Sequence, residues 1–431
     1  MPWCITGDPP TNAEHGTRRL GLRENLGQFA LLLLVNAFVG AMVGMERSIL
    51  PLLAEREFGV ASRAGILSFL ITFGTVKALA NAFAGGAADR WGRRRTLLAG
   101  WIAGIPVPVM IILAPSWDWV VAANVLLGVN QGLCWSTAII MKVDLVGPRQ
   151  RGLAIGLNES SGYLAVSAAA LVTGFLAARH GLRPAPFLFG EAAALAGLAC
   201  SWFVRETHGH ARLESAARGR SKPDDSISAM AVFRRVSWTH GPLRAVSQAG
   251  LVNNLNDGVS WGLFPLLFVA SGATLETAAM LVAIYPAVWG LAQLFTGVLS
   301  DRLGRRWPMS VGMLLQGIAL VAIGAGRSSA TWTVGMAGLG LGTALVYPTF
   351  LGAVSDHSHP GWRATAIGVY RWWRDLGYAL GALLAGAVAD LLGIPASVQL
   401  VGVLTMLSGI VVAATYREAP HAAAASPPER G

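Results

Sequence analysis

Ionisable and amide side chains inside apolar stretches are the part of this sequence that could do chemistry. A charge in the middle of a membrane-length helix costs about 2.5–3.5 kcal/mol on insertion scales, so each is expected to face the interior and be paired or functional. The residues concerned are Glu46, Arg47, Lys77, Asn158, Glu159, Asn253, Asp257, Arg371, Arg374 and Asp375. Carboxylates in low dielectric can take up and release protons near neutral pH, and neighbouring cations attract anions. These residues predict a buried cavity for protons and a small anionic or zwitterionic molecule.

Helical spacing places several of these residues on shared faces. Asn253 and Asp257 are four residues apart, and Arg371, Arg374 and Asp375 follow the i, i+3, i+4 pattern. Such stripes on an otherwise apolar helix are typical of a cavity lining. The alternative is that Arg371 and Asp375 form an intrahelical ion pair whose only role is neutralisation.

Lys77 and the Glu46–Arg47 pair carry separate expectations. Lysine supplies only three of the 33 basic residues, so a lysine within a helix suggests a group chosen for its titratable point charge. We expect Lys77 to pair with Glu46 or Asp257. Glu46 and Arg47 are turned about 100° from each other on one helix, so we expect only one of them to reach the cavity.

The elements that must position these residues are membrane-length helices. The chain has 431 residues, is 54% hydrophobic and only 13% charged, and has a mean hydropathy of +0.53. Soluble domains are about 25% charged, and a membrane β-barrel would show alternating segments of about ten residues. The apolar stretches predict twelve helices, at residues 26–50, 62–88, 96–114, 117–143, 150–178, 184–204, 245–271, 275–300, 307–326, 329–356, 362–392 and 395–416.

The net charge of +10 is explained by the positions of the basic residues. With the N-terminus inside, most Lys and Arg fall in cytoplasmic segments, as the positive-inside rule requires, so no nucleic-acid partner is implied. The three cysteines, Cys4, Cys134 and Cys200, are far apart, which indicates neither a disulfide nor a metal site. The apolar run after residue 25 is too long for a cleaved leader, so the first helix is expected to be retained.

The chain repeats itself once, with an offset of 212 residues. The segment GGAADRWGRR, from Gly85 to Arg94, matches GVLSDRLGRR, from Gly297 to Arg306. The same offset pairs Asp144 with Asp356 and the segment RGLAIG at residues 151–156 with RATAIG at residues 363–368. Two six-helix halves in parallel repeat follow from this register.

These motifs are similar to those of the major facilitator superfamily of secondary transporters, and the similarity covers nearly the whole chain. It implies an all-α integral membrane protein with the MFS fold, in which twelve transmembrane helices form two pseudosymmetric six-helix bundles. The implied organisation is a cytoplasmic tail (1–25), an N-terminal bundle (26–204), a cytoplasmic linker (205–244), a C-terminal bundle (245–416) and a second cytoplasmic tail (417–431). Activity would be transport by alternating access, without a cofactor or metal, by a monomer in the bacterial inner membrane.

In this family the repeated loop latches the two halves on the cytoplasmic side. The residues that the resemblance assigns to this gate are Gly85, Asp89, Arg90, Gly92, Arg93, Asp144, Asp301, Arg302, Gly304, Arg305 and Asp356. Asp89 would face the start of the eleventh helix, Arg90 and Arg93 would pair with Asp144, and the equivalent residues of the second loop would pair with Asp356. The alternative is that these arginines only set the topology.

The sequence departs from the drug–proton antiporters of this family. Asn124 occupies the place of an arginine before Gly128, and the fifth helix lacks the Gly-Pro pair of the antiporter motif. A drug-efflux carrier therefore remains the alternative. No G-x-x-x-x-G-K-[ST] loop indicates a nucleotide-driven pump and no H-E-x-x-H motif a metalloprotease, so an enzyme is not expected, although a membrane-embedded enzyme or a transport-dead receptor stays as a distant alternative.

Overall fold

The computed structural model describes residues 20–147, 150–217, 227–359 and 362–419, and nearly all of them are helical. The helices in chain order are α1 (Leu26–Arg47), α2 (Leu50–Arg56), α3 (Arg63–Ile66), α4 (Ser68–Trp91), α5 (Arg93–Gly104), α6 (Pro106–Ile112), α7 (Trp117–Val146), α8 (Arg151–His180), α9 (Ala185–Trp202), α10 (His208–Ala217), α11 (Ala229–Arg234), α12 (Gly241–Ala270), α13 (Leu275–Leu303), α14 (Arg306–Ala325), α15 (Ser329–Asp356), α16 (Arg363–Leu392) and α17 (Ile394–Thr415). A short π-helix, Arg235–Thr239, joins α11 to α12.

Ten helical segments in the described ranges are long and apolar enough to cross a membrane. The two 30-residue helices α7 and α12 lie outside that set of ten; both occupy positions predicted to be crossings. The all-α membrane fold is therefore confirmed, while twelve crossings stay a prediction.

Three of the predicted helices are interrupted. The first divides into α1 and α2 at Ser48–Ile49, just before Pro51, and the third divides into α5 and α6 at Ile105, just before Pro106. Proline has no N–H to donate and clashes with the preceding turn, so each continuous prediction missed a break. The second begins as α3, a single turn capped by the Ser62 hydroxyl, before α4.

The repeat in the sequence is also a repeat in the structure. Helices α8 and α16 each contain 30 residues, start 212 residues apart and end at glycines with φ of +85°, Gly181 and Gly393. Gly92 and Gly304, after α4 and α13, have φ of +95° and +80°. Other residues rarely adopt this conformation, so glycine allows both loops to turn sharply.

The polar linker predicted at 205–244 contains α10, α11 and the π-helix. Helix α12 begins at Gly241, a turn before the helix predicted from residue 245, and the ring of His240 accepts a hydrogen bond from Leu243 N–H (3.4 Å). Residues 218–226 of the linker, most of the tail 1–25 and residues 420–431 fall outside the described ranges. The domain boundaries remain a prediction.

The two halves meet along α4 with α16 and α8 with α13, and this interface is closed at one end. We call the end with the two repeated loops the loop face, and the other end the far face. Towards the far face, a Cβ on Gly74 would lie 2.7 Å from Tyr378 Cβ, and one on Gly386 would lie 2.6 Å from Ala64 Cα. Towards the loop face, a Cβ on Gly85 or Gly368 would meet nothing within 4 Å. The halves are therefore packed at the far face and separated at the loop face.

A carboxylate reinforces the closure of the far face. Asp390, near the end of α16, accepts hydrogen bonds from the Ser62 hydroxyl (2.7 Å) and from the backbone N–H groups of Arg63 (2.5 Å) and Ala64 (3.1 Å). These contacts join the start of α3 in the first half to α16 in the second.

Candidate functional site

A cavity between the two halves opens from the loop side into the interior. It has a volume of about 260 Å³, lies between α4, α7 and α16, and adjoins a narrow cavity of about 10 Å³. Asn81, Ser136 and Arg371 line both cavities. We call the two cavities and their lining the chamber.

Asp375 links the two halves beside the chamber. The Asn81 amide in α4 donates to Asp375 Oδ2 (2.6 Å), while Arg374 donates to Oδ1 (2.6 Å) and to the Tyr347 hydroxyl (2.7 Å). The alternative of an Arg371–Asp375 pair is wrong, because Arg374 neutralises Asp375 and Arg371 instead lines the chamber. Among the described residues beside the chamber, Arg374 and Asp375 are the ones that form an ion pair.

Lys77 lies among aromatic rings. Its Nζ is 4.9 Å from the ring centre of Tyr378, 5.5 Å from that of Phe73 and 5.9 Å from that of Trp135. Within the described ranges no carboxylate oxygen lies within 4 Å of Lys77 Nζ. The predicted ion pair with Glu46 or Asp257 is therefore wrong, and ring quadrupoles solvate the ammonium instead.

Glu46 and Arg47 are both buried and point in different directions. The Asn124 amide of α7 donates to Glu46 Oε1 (3.4 Å), inside the first half. Arg47 lies over the Trp261 ring (4.1 Å) and the Phe73 ring (4.9 Å), between the halves. None of its guanidinium nitrogens has a hydrogen-bond partner among the described residues, although the side chain is only 1% exposed.

Asp257 and Glu159 are buried carboxylates held by neutral donors. The Tyr285 hydroxyl donates to Asp257 Oδ1 (2.6 Å), and Trp135 Nε1 and the Asn158 amide donate to Glu159 Oε1 (2.8 and 3.0 Å). In the described part of the chain, the second carboxylate oxygen of Glu46, of Asp257 and of Glu159 has no hydrogen-bond partner. The three groups thus share one pattern, with one oxygen fixed and one unsatisfied.

The structure separates the predicted cavity residues. Lys77, Glu159, Arg371 and Arg374 line the narrow cavity. Asn253 instead donates to its neighbour Asn254 (3.1 Å). Asn158 serves the site by holding Glu159.

Sequence reasoning missed two residues that organise the chamber. The side-chain oxygen of Asn81 accepts a hydrogen bond from the Ser136 hydroxyl (2.8 Å), and its amide nitrogen donates one to Asp375 (2.6 Å). It lies one helical turn after Lys77, so extending the polar stripe of that helix by four residues would have found it. Tyr347, the partner of Arg374, also contacts the Trp289 ring at 5.2 Å.

Each repeated loop builds one ion cluster. Arg93 bridges Asp89 (2.6 Å) and Asp144 (3.1 Å). Its counterpart Arg305 bridges two aspartates at nearly the same distances, Asp301 (2.6 Å) and Asp356 (2.9 Å). We call these the first and second loop clusters.

The expected roles of Arg90 and Arg302 need correction. Both are exposed, and the aspartates that they were expected to contact are bridged by Arg93 and Arg305 instead. Arg93 and Arg305 directly follow the turn glycines and lie beside Asp144 of α7 and Asp356 of α15. Arg90 and Arg302 precede those glycines and lie on the exposed faces of α4 and α13.

A repeated glutamate completes each cluster and was not anticipated. Glu206 accepts hydrogen bonds from the backbone N–H groups of Arg93 and Arg94 (3.1 Å each), and Glu418 accepts from those of Arg305 and Arg306 (2.8 Å each). A carboxylate satisfies N–H groups at a helix start that have no intrahelical partner. The signal was present in the sequence, because these glutamates are also 212 residues apart.

Arg305 of the second loop cluster and two histidines near it lie outside the membrane-length helices and have shifted pKa values. Burial acts to lower the pKa of Arg305, but Asp356 and Asp301 outweigh it and raise that pKa above its usual range. Burial lowers the pKa of His240 and of His357, whose rings lie 5.4 Å apart. His240 is further disfavoured as a cation by His357 and by Arg235.

Two helical halves around a charged chamber are typical of a membrane transporter. The sequence profile of the Major Facilitator Superfamily matches residues 32–255 and 246–431. The chain belongs to the Major Facilitator Superfamily of transporters, and it is a transporter rather than an enzyme.

Relatives and solved structures agree with this assignment. An uncharacterized MFS-type transporter of Salmonella typhimurium, STM4428, is 23% identical over 87% of this chain and 93% of its own length. The multidrug efflux protein YfmO of Bacillus subtilis is 28% identical, over 34% of this chain and 37% of its own. A POT family transporter solved with 5-aminolevulinic acid superposes with a TM-score of 0.70 at 13% identity, over 89% of this chain and 95% of that one. The human organic anion transporter MFSD10 has a TM-score of 0.63 at 19% identity, over 89% and 98%.

Proposed function

We propose that this protein carries a small anionic or zwitterionic solute across the bacterial inner membrane by proton-coupled alternating access. The observation that carries the proposal is the interface between the halves, packed at the far face and separated at the loop face, with the chamber charges between. A carrier that has closed one side and opened the other has this geometry. With the positive-inside rule, the loop face is cytoplasmic and the state described is open to the inside.

Three buried carboxylates support proton coupling. Glu46, Glu159 and Asp257 each have one oxygen held by a neutral donor and one oxygen without a hydrogen-bond partner in the part of the chain that the structure describes. A buried carboxylate without a counter-ion favours its neutral form, and wetting of the site favours the charged form. Alternate opening of the two faces would therefore drive uptake of a proton on one side and its release on the other.

The loop clusters would form the inner gate. The carboxylates of Asp89 and Asp301 are 67% and 66% exposed in this open state. When the loop face closes, Asp89 would approach the start of α16, where the backbone N–H groups and Arg363 offer partners for a carboxylate. This is the contact that the family resemblance implies.

Drug efflux is the second candidate function. It is favoured by two kinds of relative, the multidrug efflux protein YfmO of Bacillus subtilis and the multidrug resistance protein MdtG of Salmonella, which match 34% and 39% of this chain. The fourth predicted helix lacks the antiporter arginine and the fifth lacks the Gly-Pro pair, and these absences favour the anionic or zwitterionic solute over drug efflux.

Transport by the purified full chain in proteoliposomes tests the proposal. A panel of anionic, zwitterionic and cationic solutes is offered under an imposed pH gradient, with solute flux and internal pH recorded together. We expect an anionic or zwitterionic solute to move with protons, and Asp257→Asn and Glu46→Gln to abolish the proton movement. The matched control is Asp118→Asn, which neutralises an exposed carboxylate at the start of α7. Proton-driven flux that is unchanged in both the Asp257→Asn and the Glu46→Gln variants would contradict the proposal.

A further inference from the structure

The wide part of the chamber is apolar. Its walls include Ala78, Ala82, Ile140, Ala364, Ile367 and Trp372, and the volume is about 260 Å³. An apolar cavity of about 150 Å³ is large enough to bind benzene. The wide part is therefore suited to an apolar body of one or two rings, with Trp372 as a flat surface for it.

The inner end of this space carries unpaired positive charge. Lys77 lines the narrow cavity, and Arg371 lies where the two cavities join. Neither makes an ion pair or a hydrogen bond within the described ranges. The polar groups beside them are already engaged, since Ser136 donates to Asn81 and Asn81 donates to Asp375.

The remaining charges of the chamber do not cancel these two cations. Arg374 is matched by Asp375 at 2.6 Å, which leaves Glu159 as the acidic residue of the lining. Glu159 is held by Trp135 and Asn158. Lys77 and Arg371 against Glu159 give the inner end a net formal charge of +1, so an anion would complete the balance of charge there.

We propose that the chamber binds an amphiphilic organic anion, with one carboxylate between Lys77 and Arg371 and an apolar body of one or two rings against Trp372. This inference rests on the proposed function, because it names the class of solute that the carrier moves.

Direct binding to the purified full chain tests the inference. The probes are 2-naphthoate, its uncharged analogue 2-naphthamide, and acetate, measured by thermal stabilisation and by tryptophan fluorescence, since Trp372 and Trp135 line the chamber. We expect 2-naphthoate to bind at least about 10-fold more tightly than either of the others.

Variants locate the binding. Lys77→Gln and Arg371→Gln are each expected to weaken 2-naphthoate about 10-fold or more, while Arg371→Lys retains most of the affinity. Arg179→Gln, which removes an exposed arginine at the end of α8, is the matched control and should change nothing. Thermal unfolding without ligand verifies that each variant is folded.

Three results would overturn the inference: equal binding of 2-naphthamide, equal binding of acetate, or unchanged affinity in both glutamine variants.

Failure of the proposed carrier function is distinguishable from failure of the anion site. If no solute of the transport panel crosses the membrane while 2-naphthoate binds as described, the carrier function falls and the binding site stands. If a cationic solute is carried and 2-naphthoate does not bind, the anion site falls and the carrier stands.

Discussion

Buried charges in the loop clusters have several polar partners, whereas buried charges between the two halves include some that have none among the described residues. In the first cluster, Arg93 contacts Asp89, Asp144, the carbonyl of Ala88 and the ring of His208. Between the two halves, Arg47 is more deeply buried than Arg93, at 1% exposed against 7%, and has no hydrogen-bond partner among the described residues. A saturated cluster stabilises one geometry, whereas unsatisfied buried charge lowers stability and is retained where a ligand or proton uses it.

The largest expected loss of stability follows from breaking the Arg374–Asp375 ion pair beside the chamber. Asp375→Ala removes the counter-ion of Arg374, whose side chain is 8% exposed, and the acceptor of Asn81. We expect a loss of about 3–5 kcal/mol in unfolding free energy, because a buried guanidinium loses its carboxylate. The measurement is thermal or denaturant unfolding in detergent, with Asp118→Ala as the exposed control. A loss no larger than that of the control would show that this pair behaves like a surface pair.

The two loop clusters sharpen the comparison, because they have the same contacts at different burial. The side chains of Arg93 and Asp144 are 8% and 10% exposed, while those of Arg305 and Asp356 are 17% and 40% exposed. Arg93→Ala is expected to cost about 2–4 kcal/mol and Arg305→Ala about 1 kcal/mol, since solvent screens the second pair. Unfolding of the two variants under identical conditions measures the difference. Equal losses would mean that burial does not decide the strength of these clusters.

Removing the charge of Arg47 is expected to affect stability in the opposite direction from removing that of Arg93. Arg47→Met keeps much of the side-chain volume against Trp261 and Phe73 and removes the unsatisfied charge. We expect stability to stay constant or rise by about 1–3 kcal/mol while transport is lost, because replacing buried charge by an apolar group is often stabilising. Unfolding and proteoliposome flux are measured on the same preparation. A variant that is clearly less stable would indicate that Arg47 is a structural residue.

The smallest expected effect is a pH dependence in the second loop cluster. Burial, with repulsion from His357 and Arg235, holds the pKa of His240 below its ordinary value of 6.5. Burial also lowers the pKa of His357, because it outweighs the Arg417 carbonyl, Asp356 and Glu418. Below pH 6.5 the unfolded chain takes up these protons first, so stability is present above pH 6.5 and is lost as the pH falls below it. His357→Gln should reduce this slope in a pH series of unfolding curves, and His180→Gln, an exposed histidine at the end of α8, should leave it unchanged.

Helix positions were predictable to within a few residues, and contacts between side chains were not. Helix α15 was predicted at 329–356 and is observed at Ser329–Asp356. Its bounds were predictable because the hydropathy of the segment and the turn residues at its ends can be read from neighbouring positions in the sequence. The partner of Lys77 was predicted wrongly, because three helices (α4, α7 and α16) bring Phe73, Trp135 and Tyr378 to the ammonium. Spacing along one helix gives the direction of a side chain and leaves its distance from other helices undetermined.

The sequence by itself determined the membrane class, the family, and the two-fold repeat with its loops, because hydropathy and the 212-residue offset are properties of the linear chain. Only the tertiary structure decided which charges are saturated, which face is open, and that Asp375 belongs to Arg374 rather than to Arg371. These depend on how closely helices from different parts of the chain approach one another, and that approach is set by small residues such as Gly74 and Gly386 packing across the interface.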